Sequence, residues 1–272
     1  MTSTSGSSRH SQPVETVAVV AHGRVDVDAA VERVRAVAAR AGVAVVDEPA
    51  DAQLAVALGG DGTILRTLGK LLGSSVPVIG VNFGRVGFLA SIVPERLEAD
   101  LARVFDGEYV VLEQPTLEAR LDGETFVAVN DVVATSSTLG RMVELAWSVG
   151  DEDLGTVPCD GMICSTPSGS TAYNLSNGGP VLVRGLDAMA ATFIAPHSLH
   201  ARPLVVPRGT RVTVRNATPD VGAAVLVDGH HSGSIEPREQ LTVGLGEQRS
   251  LLATLPETTF FGRYRETFTS NS

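Results

Sequence analysis

The sequence predicts an α/β amino-terminal domain, doubly wound and Rossmann-like, followed by a domain rich in β-strands. Three observations carry this reading. Up to Gly107, short apolar runs alternate with segments of helical apolar spacing, the pattern of a parallel sheet with crossover helices. Beyond Gly107, strand-like runs follow one another, punctuated by Gly, Asp, Asn and Pro. With 272 residues, 43% of them apolar, the chain is large enough for one big domain or two modest ones.

Taken in order, residues 1–13 are polar and Ser/Thr-rich and lack the apolar segment of a secretion signal. They read as a disordered tail, and the chain as cytoplasmic. Residues 17–20 form a first buried strand. Asp26 or Asp28 caps a helix carried by Ala29, Val31, Val34, Val37 and Ala38, which ends before Gly42. Strands follow at 43–46, 54–58 and 76–81, with helices after Asp61 and over 94–105. In the second region, 109–112, 116–121, 125–129, 142–149, 162–165, 211–215, 223–227 and 240–243 read as strands. Of these, Arg211-Val212-Thr213-Val214-Arg215 shows the clearest half-buried alternation. The aromatic residues Phe260, Phe261, Tyr264 and Phe268 need burial and are expected to pack back on the first domain. The domains are therefore placed at 14–107, completed by 256–272, and at 108–255.

Composition removes several classes of function. A net charge of −10 opposes nucleic-acid binding, which needs a basic face. No apolar run approaches the roughly 20 residues of a membrane span. Lys70 is the only lysine, so the Gly-Lys-Ser/Thr phosphate loop is excluded, and any phosphate must be held by backbone, arginine and a divalent metal. Cys159 and Cys164 are too few for a disulfide framework or a cysteine zinc site and read as small core residues.

The most telling stretch is Gly59-Gly60-Asp61-Gly62-Thr63-Ile64-Leu65-Arg66. It follows an apolar strand and opens a helix, so backbone N–H groups converge there on an anion, and a carboxylate stands inside that cradle. A second glycine turn, with Asn82, Phe83, Gly84, Arg85, Gly87 and Phe88, offers close backbone approach, an arginine for phosphate and rings for a base; a tight turn with core phenylalanines is the competing reading. Asn130-Asp131 sits between apolar residues, where a polar pair must be partnered. An amide beside a carboxylate suits the hydroxyls of a ribose, and a hairpin corner is the alternative. The densest polar segment runs from Asp160 through Ser165-Thr166-Pro167-Ser168-Gly169-Ser170-Thr171-Ala172-Tyr173-Asn174 to Gly178-Gly179-Pro180. Its hydroxyls exceed what helix capping needs. His197 and His200 lack a third metal ligand and read as ordinary hydrogen-bonded histidines, and His230-His231, after Asp228-Gly229, as a turn after a strand, with a ligand contact as the minority reading.

These segments, in this order, resemble the NAD kinase family over roughly residues 15–268. Diacylglycerol and sphingosine kinases and phosphofructokinases carry segments similar to Gly59-Gly60-Asp61-Gly62-Thr63. The 166–174 element followed by Gly178-Gly179-Pro180 and Pro196-His197-Ser198-Leu199 is specific to NAD kinases. The resemblance implies transfer of the ATP γ-phosphoryl, or of a polyphosphate phosphoryl, to the 2′-hydroxyl of the adenosine ribose of NAD, with Mg²⁺ or another divalent metal. It implies that Asp61 accepts the hydroxyl proton or helps organise the metal. Gly59, Gly60, Gly62, Thr63, Arg66 and Arg85 are then expected at phosphate, and Gly62, Phe88, Asn130, Asp131, Asp160, Thr171, Ala172, Tyr173 and Ser176 at the dinucleotide. No residue is assigned as a metal ligand. The family assembles as homodimers or homotetramers in which a neighbour's β domain helps complete the site.

The chain departs from the family at three places. Ser168 stands where threonine is common, Asp131 where many members have glutamate, and Pro158 where many have arginine, so that a contact to the ligand's phosphate or to a neighbouring subunit is either missing or supplied by Arg141 or Arg184. Two competing readings accompany the resemblance. One is a related diacylglycerol/sphingosine-type kinase, or a sugar kinase of that superfamily, and the other is a dinucleotide-binding regulatory paralogue with weak or no kinase activity.

Overall fold

The computed structural model describes residues 8–10, 12–22, 27–84 and 87–269. The chain divides into two compact units, Met1–Gln114 with Arg249–Ser272, and Pro115–Gln248. Two long strands, Val110–Leu121 and Gln240–Thr254, run through the division points. The unit boundaries therefore fall inside strands, several residues from the Gly107 and Pro256 positions that composition suggests.

The first unit is built on a parallel sheet. Its strands lie in the order Ala44–Val46, Thr16–Ala21, Leu54–Gly59, Val78–Asn82, and Leu252 and Ala253 pair in parallel with Val78 and Ile79. Side chains alternate along a strand, and the two faces are used differently. Leu54, Val56, Leu58, Ile79 and Val81 share a core with Val34, Val37 and Ala38 of helix Val27–Ala41 and with Leu97, Leu101 and Val104 of helix Leu97–Phe105. Gly80 faces the other way, directly against Ile64 of helix Asp61–Lys70. Helices thus cover both faces, as expected of a doubly wound sheet. Each Leu or Ile buried in this way contributes about 1.5–3 kcal/mol.

Three local expectations differ from the structure. Ser8, Arg9 and His10, assigned to a disordered tail, pair antiparallel with Leu112, Val111 and Val110, because that strand offers them free backbone groups. Asp28 lies inside the first turn of helix Val27–Ala41 instead of capping it, where its charge complements the helix dipole; Asp26 lies outside the described residues. The closing aromatics form helix Phe260–Phe268, which belongs to the first unit. They are only partly covered, with Phe261 68%, Phe268 41% and Tyr264 39% exposed.

The second unit is antiparallel. Six strands follow the order Leu204–Pro207, Ala188–Ile194, Gly161–Ser165, Asp131–Ser136, Ala223–Val227, His230–Ile235. A second set pairs Glu152–Cys159 with Val143–Val149, then Val212–Asn216, then residues 240–243. One core joins the two sets, with Val132, Met162, Phe193 and Val225 against Leu145, Val214 and Leu241, and the Trp147 ring stands edge-on to Phe193 at 5.3 Å. The strands Asp131–Ser136, Glu152–Cys159, Ala188–Ile194, Leu204–Pro207 and His230–Ile235 escape the sequence reading. Ala188–Ile194 is wholly buried, and a short run buried on both faces carries no alternation to detect. His230 and His231 begin a strand after a two-residue Asp228-Gly229 turn with φ of 48° and 79°, the Asp-Gly hairpin signal.

Cys159 and Cys164 are free and buried, and burial pushes both thiols up to about 12. They are inert core residues, as their small number suggests. Pro158 lies on an edge strand, where its missing N–H leaves no sheet partner unpaired. Among the described residues no helix is long and apolar enough to cross a membrane.

Candidate active site: a held aspartate and a clamped Asn-Asp pair

In the first unit, strand Leu54–Gly59 passes through Gly60 into helix Asp61–Lys70. Gly60 is the N-cap, with extended backbone and no side-chain cap; the Thr63 N–H turns back to the Gly60 carbonyl, which leaves the Asp61 and Gly62 N–H groups at the disposal of an anion. A Cβ placed on Gly60 or Gly62 would meet nothing within 4 Å, so neither glycine is required by packing. Thr63 is buried and its hydroxyl donates to the His22 carbonyl at 3.1 Å, fixing the turn from below. Arg66 is exposed on the following turn.

Asp61 is half-buried. Its carboxylate accepts the Phe88 N–H at 2.8 Å and the Leu89 N–H at 3.3 Å. This approach requires glycine at 87, since a Cβ there would lie 2.3–2.4 Å from the carboxylate atoms of Asp61. Phe88 itself is 9% exposed, its ring stacked at 6.2 Å from Phe260 and 5.8 Å from Phe268. What Phe88 offers the aspartate is its backbone. Arg85 lies outside the described residues.

In the second unit, Asn130 and Asp131 are 9% and 7% exposed and are held from two sides. From one side comes Asp228, whose carboxylate accepts the backbone N–H of Val129 at 2.8 Å, Asn130 at 2.7 Å and Asp131 at 3.1 Å; the Asp228 N–H donates back to the Asp131 carbonyl at 3.0 Å. From the other side, the Thr166 N–H donates to the Asn130 carbonyl and the Thr166 hydroxyl to the Val129 carbonyl. The Ser168 hydroxyl donates to Asn130 Oδ1 at 3.0 Å. Its oxygen thus engaged, the Asn130 side chain still has two N–H donors. Gly169 packs on the Asn130 backbone so closely that a Cβ would lie 2.2 Å from the carbonyl oxygen.

Electrostatics sharpen the pair. Burial, and secondarily the neighbouring Asp228 charge, pushes the Asp131 carboxyl up from 3.8 to about 7. Burial also raises Asp228, opposed by its three backbone N–H donors.

The abundance of hydroxyls in 165–174 finds a physical account here. Ser170 bridges the Pro167 carbonyl and the Leu182 N–H. Asn174 ties the Ser170 and Pro180 carbonyls and accepts from Thr192. These side chains are spent on the turn itself. Thr171 is half-buried, while Ala172, Tyr173 and Ser176 are exposed beyond it, Tyr173 by 44%.

The structure gathers Asn130, Asp131, Ser168 and Asp228 into one cluster. It does not bring Asp160 there. Asp160 is exposed at the opposite end of strand Gly161–Ser165 from Ser165, which pairs with Asp131, a separation of roughly 17 Å at 3.4 Å per residue. Arg141, considered in place of Pro158, is engaged with Asp220 at 2.9 Å. His197 and His200 join no metal-binding group; among the described residues no cluster of three His, Cys, Asp or Glu side chains is arranged to hold an ion. Asp228 is the residue that sequence reasoning missed. Its signal was the Asp-Gly hairpin dipeptide, which fixed the turn but not where the carboxylate points.

The chain carries a carboxylate held at the helix start of a doubly wound unit and, in its β unit, a clamped Asn-Asp pair, groups suited to a nucleotide-handling phosphotransferase. The comparisons agree. Residues 11–109 match the ATP-NAD kinase N-terminal domain and residues 129–255 the ATP-NAD kinase C-terminal domain. The NAD kinase of Heliobacterium modesticaldum is 41% identical over 218 residues, covering 78% of this chain and 77% of the relative. That of Nitratidesulfovibrio vulgaris is 37% identical over 266 residues, covering 91% and 93%. Among solved structures, an NAD kinase from Archaeoglobus fulgidus in complex with ATP superposes with a TM-score of 0.77 at 28% identity, covering 92% of this chain and 98% of that one. The yeast NADH kinase complexed with NADH shares the fold, with a TM-score of 0.85 at 20% identity over 96% of this chain and 89% of that one. The chain belongs to the NAD kinase family. It is an enzyme of that phosphotransferase class, phosphorylating NAD(H) to NADP(H) with ATP or polyphosphate as donor.

Proposed function

We propose that Asp61 accepts the proton of the 2′-hydroxyl of the adenosine ribose while the phosphoryl group transfers to that oxygen. The bond from the γ-phosphorus to its leaving oxygen breaks, the bond to the 2′-oxygen forms, and the hydroxyl proton goes to Asp61. The observation that carries this is the carboxylate held by two backbone N–H donors at a helix start. Those donors leave lone pairs free for a hydroxyl and fix the carboxylate without a cation. Phosphoryl transfer proceeds through a loose transition state, so placement outweighs base strength.

Gly59, Gly60, Gly62 and Thr63 are proposed to line the phosphates, supported by the uncapped helix start and the open space at Gly60 and Gly62. Arg66, and Arg85 by resemblance, supply positive charge. Asn130 and Asp131 are proposed to hold the nicotinamide-side ribose, with Thr171, Ala172, Tyr173 and Ser176 along the dinucleotide and Tyr173 stacking on a ring. Phe88 keeps its assignment as a neighbour of NAD, by resemblance alone. The position of Asp160, far from the Asn130 cluster within its own unit, supports its service to a neighbouring copy in a homodimer or homotetramer. The exposed Leu204 and Val205 on the edge strand support such association, which sedimentation would test.

A divalent metal such as Mg²⁺ fits this residue set as a nucleotide-borne ion. The described residues offer no three-ligand cage, and Mg²⁺ is commonly held by one or two carboxylates plus substrate phosphates, with Asp61 the carboxylate in the cradle. When bound, the ion neutralises phosphate charge. Cytoplasm is the proposed compartment, consistent with two unpaired cysteines.

The test is Asp61→Asn. NADP formation should fall by about 10²–10⁴-fold while calorimetry shows NAD binding retained; an unchanged rate removes Asp61 from the chemistry. Running NAD and NADH against ATP and polyphosphate assigns acceptor and donor.

A further inference from the structure

The last helix, Phe260–Phe268, touches the protein on either side of the peptide that holds Asp61. The Arg263 guanidinium, with its side chain only 16% exposed, donates to the Ala90 carbonyl at 2.7 Å. Phe260 and Phe268 cover the Phe88 ring, and Tyr264 stands edge-on to Phe268 at 4.9 Å. Thr259 caps the helix through the Gly262 N–H. Residues 88 and 90 are thus gripped by the helix, while residues 88 and 89 donate to the Asp61 carboxylate. On the far side, the Ser91 and Ile92 N–H groups donate to the Gly80 carbonyl of strand Val78–Asn82. That anchor lies two to four residues from the amides that matter.

Arg263 also pairs with Glu266 at 3.2 Å, but the pairing does not reach all of its guanidinium. Its Nε is buried with no hydrogen-bond partner, and an unsatisfied buried donor on a charged group is destabilising. The helix itself buries no residue fully. Its ring contacts and its arginine instead reach residues 88 and 90, which flank the Leu89 amide beside the carboxylate.

We infer that the helix Phe260–Phe268 positions the Asp61 carboxylate, with Arg263 and Phe268 as positioning residues acting through the backbone of residues 88–90. The inference rests on the reading of Asp61 as the residue that receives the hydroxyl proton. Releasing the grip lets the Phe88 and Leu89 amides move away, and the carboxylate loses the donors that set its direction. Displacement of a reacting group by about 1 Å costs on the order of 100-fold in rate.

The experiment compares Arg263→Ala, Arg263→Lys and Phe268→Leu with the unaltered chain and with Asp61→Asn. It measures kcat and KM for NAD and amide hydrogen exchange at Phe88 and Leu89. Arg263→Ala is expected to lower kcat by about 10–100-fold, with KM for NAD changed by no more than about twofold, because placement and not ground-state binding is lost. Exchange at Phe88 and Leu89 should accelerate while the amides of strand Leu54–Gly59 keep their protection, a local signature that general destabilisation would not give. Arg263→Lys, which retains a donor, should recover part of the rate, and Phe268→Leu, which keeps an apolar side chain, should show the same pattern more weakly. If Asp61→Asn abolishes turnover but the helix variants leave kcat and the two amides unchanged, the positioning role is wrong and the Asp61 reading stands. If Asp61→Asn turns over normally, the Asp61 reading itself fails. Uniformly faster exchange throughout the unit in every helix variant would reduce the helix to a stabilising element and overturn the inference.

Discussion

Replacing Asp131 by asparagine should make the protein less sensitive to rising pH. Asp131 is 7% exposed, and burial, helped by Asp228, lifts its carboxyl from 3.8 to about 7. Between those values the folded chain keeps a proton that the unfolded chain releases, so the folded state binds more protons and stability falls as pH rises. The contribution is fully present below the unfolded value and lost as pH climbs through about 7. A difference of roughly three units at 1.36 kcal/mol each gives about 4 kcal/mol in all. Roughly half of it, about 2 kcal/mol, falls between pH 5.5 and 8.5, a range that avoids precipitation near the sequence pI of about 5.0. Urea unfolding of both proteins at those two pH values isolates the effect, since any constant difference between Asp and Asn cancels. The wild-type protein should lose about 2 kcal/mol more than Asp131→Asn over that interval. Parallel pH dependences would refute the argument. Because an ionised carboxylate makes the stronger bond to a ribose hydroxyl, wild-type affinity for NAD should rise as pH increases through 7, and that rise should be absent from the variant.

The remaining predictions concern what holds the Asn-Asp pair. Gly169→Ala drives a Cβ to 2.2 Å from the Asn130 carbonyl oxygen and should cost about 1–3 kcal/mol in thermal or urea unfolding, with weaker NAD binding by calorimetry. Ser168→Ala frees Asn130 Oδ1 and should weaken NAD binding by about 5–10-fold, while Ser168→Thr, which restores the residue common in the family, should leave it unchanged. Asp228→Ala strands three backbone N–H groups and should destabilise by about 2–4 kcal/mol; the cost should shrink at high pH, where the lost Asp228 charge no longer opposes ionisation of Asp131.

Much of the site is legible as local sequence. An apolar run feeding Gly59-Gly60-Asp61 and a helix period after it specify the strand, turn and helix, because each depends on neighbours a few residues away. The parallel sense of the first unit's sheet follows from strand-helix alternation, whereas its strand order, with Thr16–Ala21 between Ala44–Val46 and Leu54–Gly59, does not. Ala188–Ile194 was not legible, since a strand buried on both faces has no polar alternation. Neither were the partners of the polar side chains in 165–174: the Thr166 hydroxyl reaches the Val129 carbonyl, and Ser170 and the Asn174 amide satisfy carbonyls and an N–H of the turn.

The sequence by itself determined the family, the fold class and the acidic residue in the glycine turn, since those reside in contiguous motifs and short periodicities. Only the tertiary structure decided which groups hold these residues. Asp228 reaches Val129, Asn130 and Asp131 across a separation of 97 to 99 residues, and Arg263 reaches Ala90 across 173. Such pairings depend on where the sheet and the last helix bring distant backbone together, and no spacing in the chain encodes them.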